Sequence, residues 1–427
     1  MASFSAKERF LASLLSATPG LKSAVKKAYV YFNAMLYKKA YKYKITDSRI
    51  SAIEDPIEHF ENQLESFFGY YDKCPLRNKL LISHVSSYST RNLPSEKQKI
   101  GIAITNLDTN STKIVTETKT YTWQQGARTQ WLSEDLFIYN DLDEQKNIYV
   151  SQVYSVSQEA VINTFDFPVQ DSFGTNYFLS INYSRLMELR PDYGYRNLPR
   201  LTKTKMADYD NDGIWFVNYE TKESHLIHSL SQILTFESKD IFGSCEHKVN
   251  HVMISKDGKG FIFIHRFYQG KRRFDRLMYS DFKSLKVLVD YGMVSHCCWI
   301  DDENIFGYFR VSGSDGYYYC NIRTNEITEC KEMTNLRLGD GHPSCFEDKI
   351  VFDSYPDKSR MQRLFVFNKK TLQVSELVNV FQSIKYMGET RCDLHPRFSD
   401  DGNYIFFDTV YKGLRRQCYI NIKDLSL

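Results

Sequence analysis

From about residue 70 onward, apolar and polar residues alternate in short runs. Turn signals such as "KDGKG" (256–260) and "SDDGN" (399–403) separate the runs. That is the period of half-buried strands joined by tight turns, and helical spacing is scarce. Residues 21–44 differ. Leu21, Val25, Ala28, Phe32 and Met35 fall at helical spacing, with Lys22, Lys26, Lys27, Lys38 and Lys39 around them. This predicts a basic amphipathic helix. Its apolar face either docks on the main domain or lies on an anionic membrane surface. The expected organisation is a helical extension over 1–45 and one β domain over 46–427.

The strand region repeats itself. His251 opens "HVMISKDG", His296 "HCCWIDDE", His342 "HPSCFEDK" and His395 "HPRFSDDG", and an aspartate stands six residues after each: Asp257, Asp302, Asp348 and Asp401. The histidines are 45, 46 and 53 residues apart, the length of a propeller blade. The register extends upstream. Arg128 takes the histidine position if Trp131 is matched to Trp299, Phe167 takes it if Gly174 is matched to Gly402, and Cys74 takes it approximately. Seven positions result, with an insertion containing "RPDYGYRNLPRLTKTK" between the third and fourth. Too few residues follow His395 for a full blade, so a strand near "YKYKIT" is expected to complete it. The fold class is all-β, a seven-bladed β-propeller with a short N-terminal helical extension.

Each of these positions opens the innermost strand of a blade, and the next strand returns after a tight turn. Reflecting each histidine through its turn sets His265 opposite His251, and Arg310 opposite His296. The same construction sets Ser354 or Tyr355 opposite His342, and Asp408 or Thr409 opposite His395. One mouth of the channel is therefore expected to gather His251, His265, His296, Arg310, His342, Tyr355, His395 and Arg128. A single histidine at a blade entrance ordinarily caps a turn. Four in one register converge on one axis, where packing alone would be satisfied by Val or Ile. Imidazole is a common metal ligand, and three or four such nitrogens suit a divalent ion such as Mn, Zn or Ca. Cys297, Cys298, Cys345 and Cys392 lie near these positions, as thiolate ligands or as buried packing.

Composition narrows the class. Formal charge is only +3 over 427 residues, which gives no footprint for nucleic acid. The nine cysteines show no C-x-x-C spacing, so a reducing, cytoplasmic setting is expected, with membrane association through residues 21–44 as the variant. No apolar stretch approaches the ~20 residues of a membrane span, and "FLASLLSA" (10–17) lacks a clean cleavage site for a signal peptide.

"GDGHPSCFEDKIVFDSYPD" (339–357), "GETRCDLHPRFSDDG" (388–402), "NHVMISKDGKGFIFIHRF" (250–267) and "FGYYDKCP" (68–75) resemble the propeller polysaccharide lyases. Those are the oligogalacturonate-lyase family and the related ulvan-lyase-like propellers. The resemblance runs from about 65 to 427. It implies a divalent metal on the axis, held mainly by histidines, and a histidine or tyrosine that removes the proton beside a uronic carboxylate. Carried over, the metal ligands are His342 and His395, which match the His-Pro phrases, with His251 and His296 by register. His265 in "FIHRF" looks like the catalytic histidine. Asp393-Leu394-His395 departs from the family's His-Pro-His, so one ligand is missing or replaced.

β-Elimination needs a base on the proton side and a cation on the carboxylate. The resemblance makes His265 the base, and the metal it implies, or Arg310 from the turn construction, would be the neutraliser. Tyr193 or Tyr195, in the insertion, would protonate the leaving oxygen. Tyr71, Asp72, Arg128 and Tyr355 are the expected substrate contacts. The leading expectation is a metal-assisted lyase acting on an acidic, uronic-acid-containing oligo- or polysaccharide. The alternative is a non-catalytic propeller binding glycan or protein in polysaccharide assembly. A serine hydrolase ranks low, because no G-x-S-x-G elbow is present.

Overall fold

The computed structural model describes residues 19–60, 64–423 and 425. Seven antiparallel sheets follow one another along the chain as the blades of a propeller. Their innermost strands begin at Glu65, Gln130, Asp171, Glu246, Val294, Ser344 and Arg397, so the repeat read from the histidine phrases gives the right number of blades.

Strands such as Phe261–Gln269 open on a continuous apolar run and stay buried at successive residues, because blades bury both faces of each sheet. Phe261, Ile262, Phe263 and Ile264 are all fully buried. Met253, Ile262, Ile264 and Leu277 of the fourth blade pack on Trp299, Ile305 and Phe309 of the fifth. The two tryptophans matched in the sequence do the same job: Trp131 Nε1 donates to Pro75 O and Trp299 Nε1 to Met253 O, at 2.9 and 3.1 Å, each tying its blade to the preceding one. The repeated aspartates Asp257 and Asp401 accept from Lys259 N and Asn403 N at 3.0 and 3.1 Å, which fixes the hairpin turns. The aspartate end of the repeated phrase is therefore structural.

Ring closure corrects one expectation. Tyr43–Ile45 pairs with Val378–Val380, as a fifth strand on the sixth blade and not on the last. The seventh blade has three strands, and its outer edge is met by Glu54 alone, through a two-bond bridge to Tyr419. The outer strands of both blades, Gln373–Phe381 and Arg416–Asn421, present an edge that a short segment can pair, and alternation in "YKYKIT" cannot choose between them.

Two buried histidines outside the four-histidine ring are expected to make the fold acid-labile. Burial lowers His84 and His228 to about 4. The unfolded chain, with reference values near 6.5, takes up protons first as pH falls. Stability from these two groups is thus complete above pH about 6.5 and is lost as pH falls toward 4, by roughly 3 kcal/mol each. Thermal unfolding between pH 7 and 4 is expected to show a falling Tm, and a flat profile would contradict it.

Candidate functional site

The innermost strand of the first blade is broken. Glu65–Phe67 and Leu76–Arg77 both pair with Leu80–Ser86, and the residues between them cross the channel. Asp408 of the seventh blade accepts from Phe68 N and Gly69 N at 3.0 and 2.9 Å. Arg397 donates to the carbonyls of Gly69 and Tyr71 at 2.6 and 2.9 Å. Gly69 has φ +99°, and an added Cβ would lie 2.8 Å from Gln125 Cα, so only glycine fits. This arch carries Tyr70 onto the axis. Gly69→Ala is expected to cost about 1–3 kcal/mol from backbone strain alone, read as a lowered Tm. An unchanged Tm would mean the arch is not held as described.

Four histidine rings surround Tyr70. Their centroids stand 5.4 Å (His251), 4.9 Å (His296), 4.9 Å (His342) and 5.3 Å (His395) from its ring. His342 lies 4.0 Å from His296 and 4.4 Å from His395. His251 and His395 both have positive φ, 51° and 47°, a strained conformation for such residues. The histidine end of the repeated phrase therefore forms one cluster at one mouth.

The polar partners sort the four. Asp353 accepts from His342 Nδ1 at 2.9 Å and from the backbone N–H of both His342 and His395. That bond leaves His342 Nε2 buried without a hydrogen-bond partner, as is His395 Nε2, which stands 3.9 Å from Asp393 Oδ2. With the Asp393 carboxylate they form the group whose donor atoms lie within 4.8 Å of one another. Two orphaned imidazole nitrogens and a carboxylate fit a divalent cation of the manganese or zinc type. An outer carboxylate orients one of the rings, as metal-binding histidines usually require. Asp393, at the position where the resemblance implied a missing or replaced ligand, places a carboxylate in this group. His296 donates through Nδ1 to Asp340 O at 3.0 Å, leaving Nε2 with its lone pair. His251 is the one half-buried member, and no hydrogen bond from its ring to the described residues is resolved.

Electrostatics keep His251, His296 and His395 neutral. Burial lowers all three. Arg266 adds to the effect at His251, while His342 adds to it at His296, which falls to about 3, and at His395. At His342 burial acts in the same direction, but the Asp353 carboxylate outweighs it and raises the ring. The insertion closes over this mouth. The ion pairs Arg190–Asp192, Asp192–Arg391 and Arg391–Asp393, at 2.7, 3.0 and 2.7 Å, tie it to the loop before His395. They set Tyr193 edge-on to His251 at 5.5 Å, under the Arg190 guanidinium. Tyr355 lies 5.7 Å from His342.

Six expected site residues lie elsewhere. His265 pairs with Val249, not His251: the pairing of Ile254 with Phe261 sets the hairpin one residue off that expectation, and a bulge between Asn250 and Met253 adds one more. Its ring is fully buried, accepts from Arg276 Nε at 3.2 Å and meets His247 Nδ1 at 3.0 Å, and His247 Nε2 in turn meets Phe242 O. Arg310 is held by Asp315 in an exposed hairpin. Arg128 is buried, donates to Gln170 O and covers Tyr71, whose hydroxyl donates to Thr129 O. Tyr195 stacks on Tyr183 at 4.3 Å and accepts from Asn140. Asp72 lines a cavity of about 390 Å³ at the far end of the channel, with Lys73, Lys256 and Ser344. The cysteines near the histidines are packing. Burial pushes the thiols of Cys297, Cys298 and Cys392 up, and all nine are free.

No family model matches the chain, and no curated protein sequence does. Among solved structures it is similar to oligogalacturonate lyase from Vibrio parahaemolyticus. The TM-score is 0.59 at 16% identity, over 89% of this chain and 96% of that one. It is similar also to an oligogalacturonate lyase in complex with manganese, with a TM-score of 0.58 at 15% identity, over 89% and 95%. The propeller domain of a protease from Pyrococcus furiosus follows at 0.47 and 10%, over 82% and 98%. At these identities the likeness establishes the fold, and the chemistry has to be argued from this chain's own residues.

Proposed function

We propose that the protein is a metal-assisted lyase that cleaves a uronic-acid-containing oligo- or polysaccharide by β-elimination. The observation that carries this is the pair of orphaned nitrogens, His342 Nε2 and His395 Nε2, facing Asp393 beside a ring of neutral histidines. The manganese complex of a structurally similar lyase supports the same reading.

A divalent cation held by His342, His395 and Asp393 would neutralise the uronate carboxylate and so acidify the neighbouring C5–H. His251 takes that proton, because its ring is neutral, half-buried at the mouth and outside the ligand group. The C5–H electrons form the C4–C5 double bond as the C4–O bond breaks. Tyr193, beside His251, gives its proton to the leaving oxygen. Asp353 holds His342, and the Asp340 carbonyl holds His296, so neither ring must reorganise as charge develops. Asp192 and Arg391 fix the insertion above the sugar and limit water. The reducing setting suggested by nine free thiols agrees with work in the cytoplasm on glycan fragments.

The test is ultraviolet absorbance of the unsaturated product, with a panel of uronic oligomers and metal-loaded protein. Product from at least one oligomer is expected. Metal-dependent binding of an oligomer with no product would favour the non-catalytic glycan-binding propeller instead.

A further inference from the structure

The N-terminal helix leaves most of its large apolar side chains exposed. Along Pro19–Leu36, Val25, Tyr29, Val30, Asn33 and Ala34 are less exposed than their neighbours. The apolar stripe Tyr31, Phe32, Met35 and Leu36 faces solvent, with Phe32, Met35 and Leu36 at 65, 66 and 63% exposure. Tyr37, Tyr41 and Tyr43 continue it past the helix end, also exposed. Half of the exposed large apolar side chains of the described residues lie between 31 and 43. Such concentration in one patch marks an interaction surface.

Charge selects the occupant. Lys26, Lys27, Lys38, Lys39, Lys42 and Lys44 are all exposed around the stripe, and no Asp or Glu occurs between residues 21 and 46. A protein partner or a second copy of this chain would have to supply both an apolar groove and a purely acidic rim. Elsewhere this chain mixes both signs: near-surface ion pairs such as Lys113–Glu159 and Lys370–Asp348 are typical of it. An anionic lipid surface offers acyl chains and headgroup phosphates together, and tyrosines suit that boundary. No helix among the described residues is long and apolar enough to cross a bilayer, so the contact is parallel to the surface.

We infer that residues 24–44 bind the protein peripherally to anionic membranes through Tyr31, Phe32, Met35 and Leu36, with the flanking lysines on the headgroups. The orientation has a consequence. Tyr37 and Lys39 line a cavity of about 310 Å³ with Ser354 and Tyr355, and Tyr355 borders His342. The helix and the histidine-ringed mouth thus share one side of the propeller, and docking brings that mouth to the lipid surface.

The experiment is flotation of the full chain with phosphatidylcholine vesicles, with and without phosphatidylserine. The wild type is expected to float with the anionic vesicles alone. Binding should weaken at 1 M salt, where the Debye length falls to about 3 Å. Phe32→Asp with Met35→Asp should lower the bound fraction about tenfold or more. These side chains are exposed, so the fold, read by its Tm, should be unchanged. Absence of anionic-vesicle binding in the wild type overturns the inference. So does binding that survives the double substitution, or a solution dimer that the substitution dissolves, since a second copy would then cover the stripe. None of these outcomes depends on the lyase chemistry.

Discussion

His251→Ala lowers turnover roughly 10²–10⁴-fold, the usual contribution of a positioned base, and leaves the affinity for substrate largely intact. In the proposed reaction, carboxylate capture would rest on the group His342, Asp393 and His395, which His251 does not join. The pH dependence follows from burial and the neighbouring Arg266, which hold His251 well below its ordinary value. The base is the neutral ring, and a depressed pKa keeps it neutral into the acid range. kcat/KM should therefore stay level from neutrality down past about 6.5, the unperturbed value, and fall only below that. An acid limb centred above 6.5 would contradict the assignment. His265→Ala makes the contrast. It leaves Arg276 Nε and His247 Nδ1 without a partner in a buried network, so it should lower stability, by about 1–3 kcal/mol, and spare kcat in the fraction that folds. A kcat loss for His265→Ala equal to that for His251→Ala would return the base role to His265.

The second large effect is expected at Asp353, which touches no substrate. Asp353→Asn keeps the size of the side chain but removes the charge that holds His342 Nδ1–H and fixes which nitrogen faces Asp393. Outer partners of this kind are worth about 10–100-fold in metal affinity. Manganese affinity, measured by calorimetry on stripped protein, should fall by that factor with Tm only modestly changed. Activity should be recovered by raising the manganese concentration. A variant that binds manganese as the wild type does would show that the Asp353–His342 pair is structural only.

Blade number and the four-histidine convergence were legible because both rest on spacing, which one repeated phrase reveals. Where local geometry breaks the repeat, spacing misleads. The register at the turn and the bulge between Asn250 and Met253 each shift the partner of His265 by one residue, together enough to take it from the mouth into a buried network. Tyr70 was passed over for its neighbours Tyr71 and Asp72. Only the break in the first inner strand, with its left-handed Gly69, sends residue 70 to the axis. A Gly-Tyr-Tyr-Asp run where an unbroken inner strand was due is the signal that was available. Arg310 and Arg128 carry charges that suit an acidic sugar, but Asp315 and the Gln170 carbonyl already hold them. Partners distant in sequence cannot be read from one chain. Asp393 looked like a missing ligand because only histidine was counted, although a carboxylate serves the same hard-to-intermediate cations.

The proposed elimination rests on His342, His395 and Asp393 forming a site for one divalent cation. The most direct measurement is the number of manganese ions bound per chain at saturation, by elemental analysis after dialysis, for the wild type and for His395→Ala. The account predicts one ion per wild-type chain and almost none for a folded His395→Ala protein. An equal ion content in both, or none in the wild type, would contradict it.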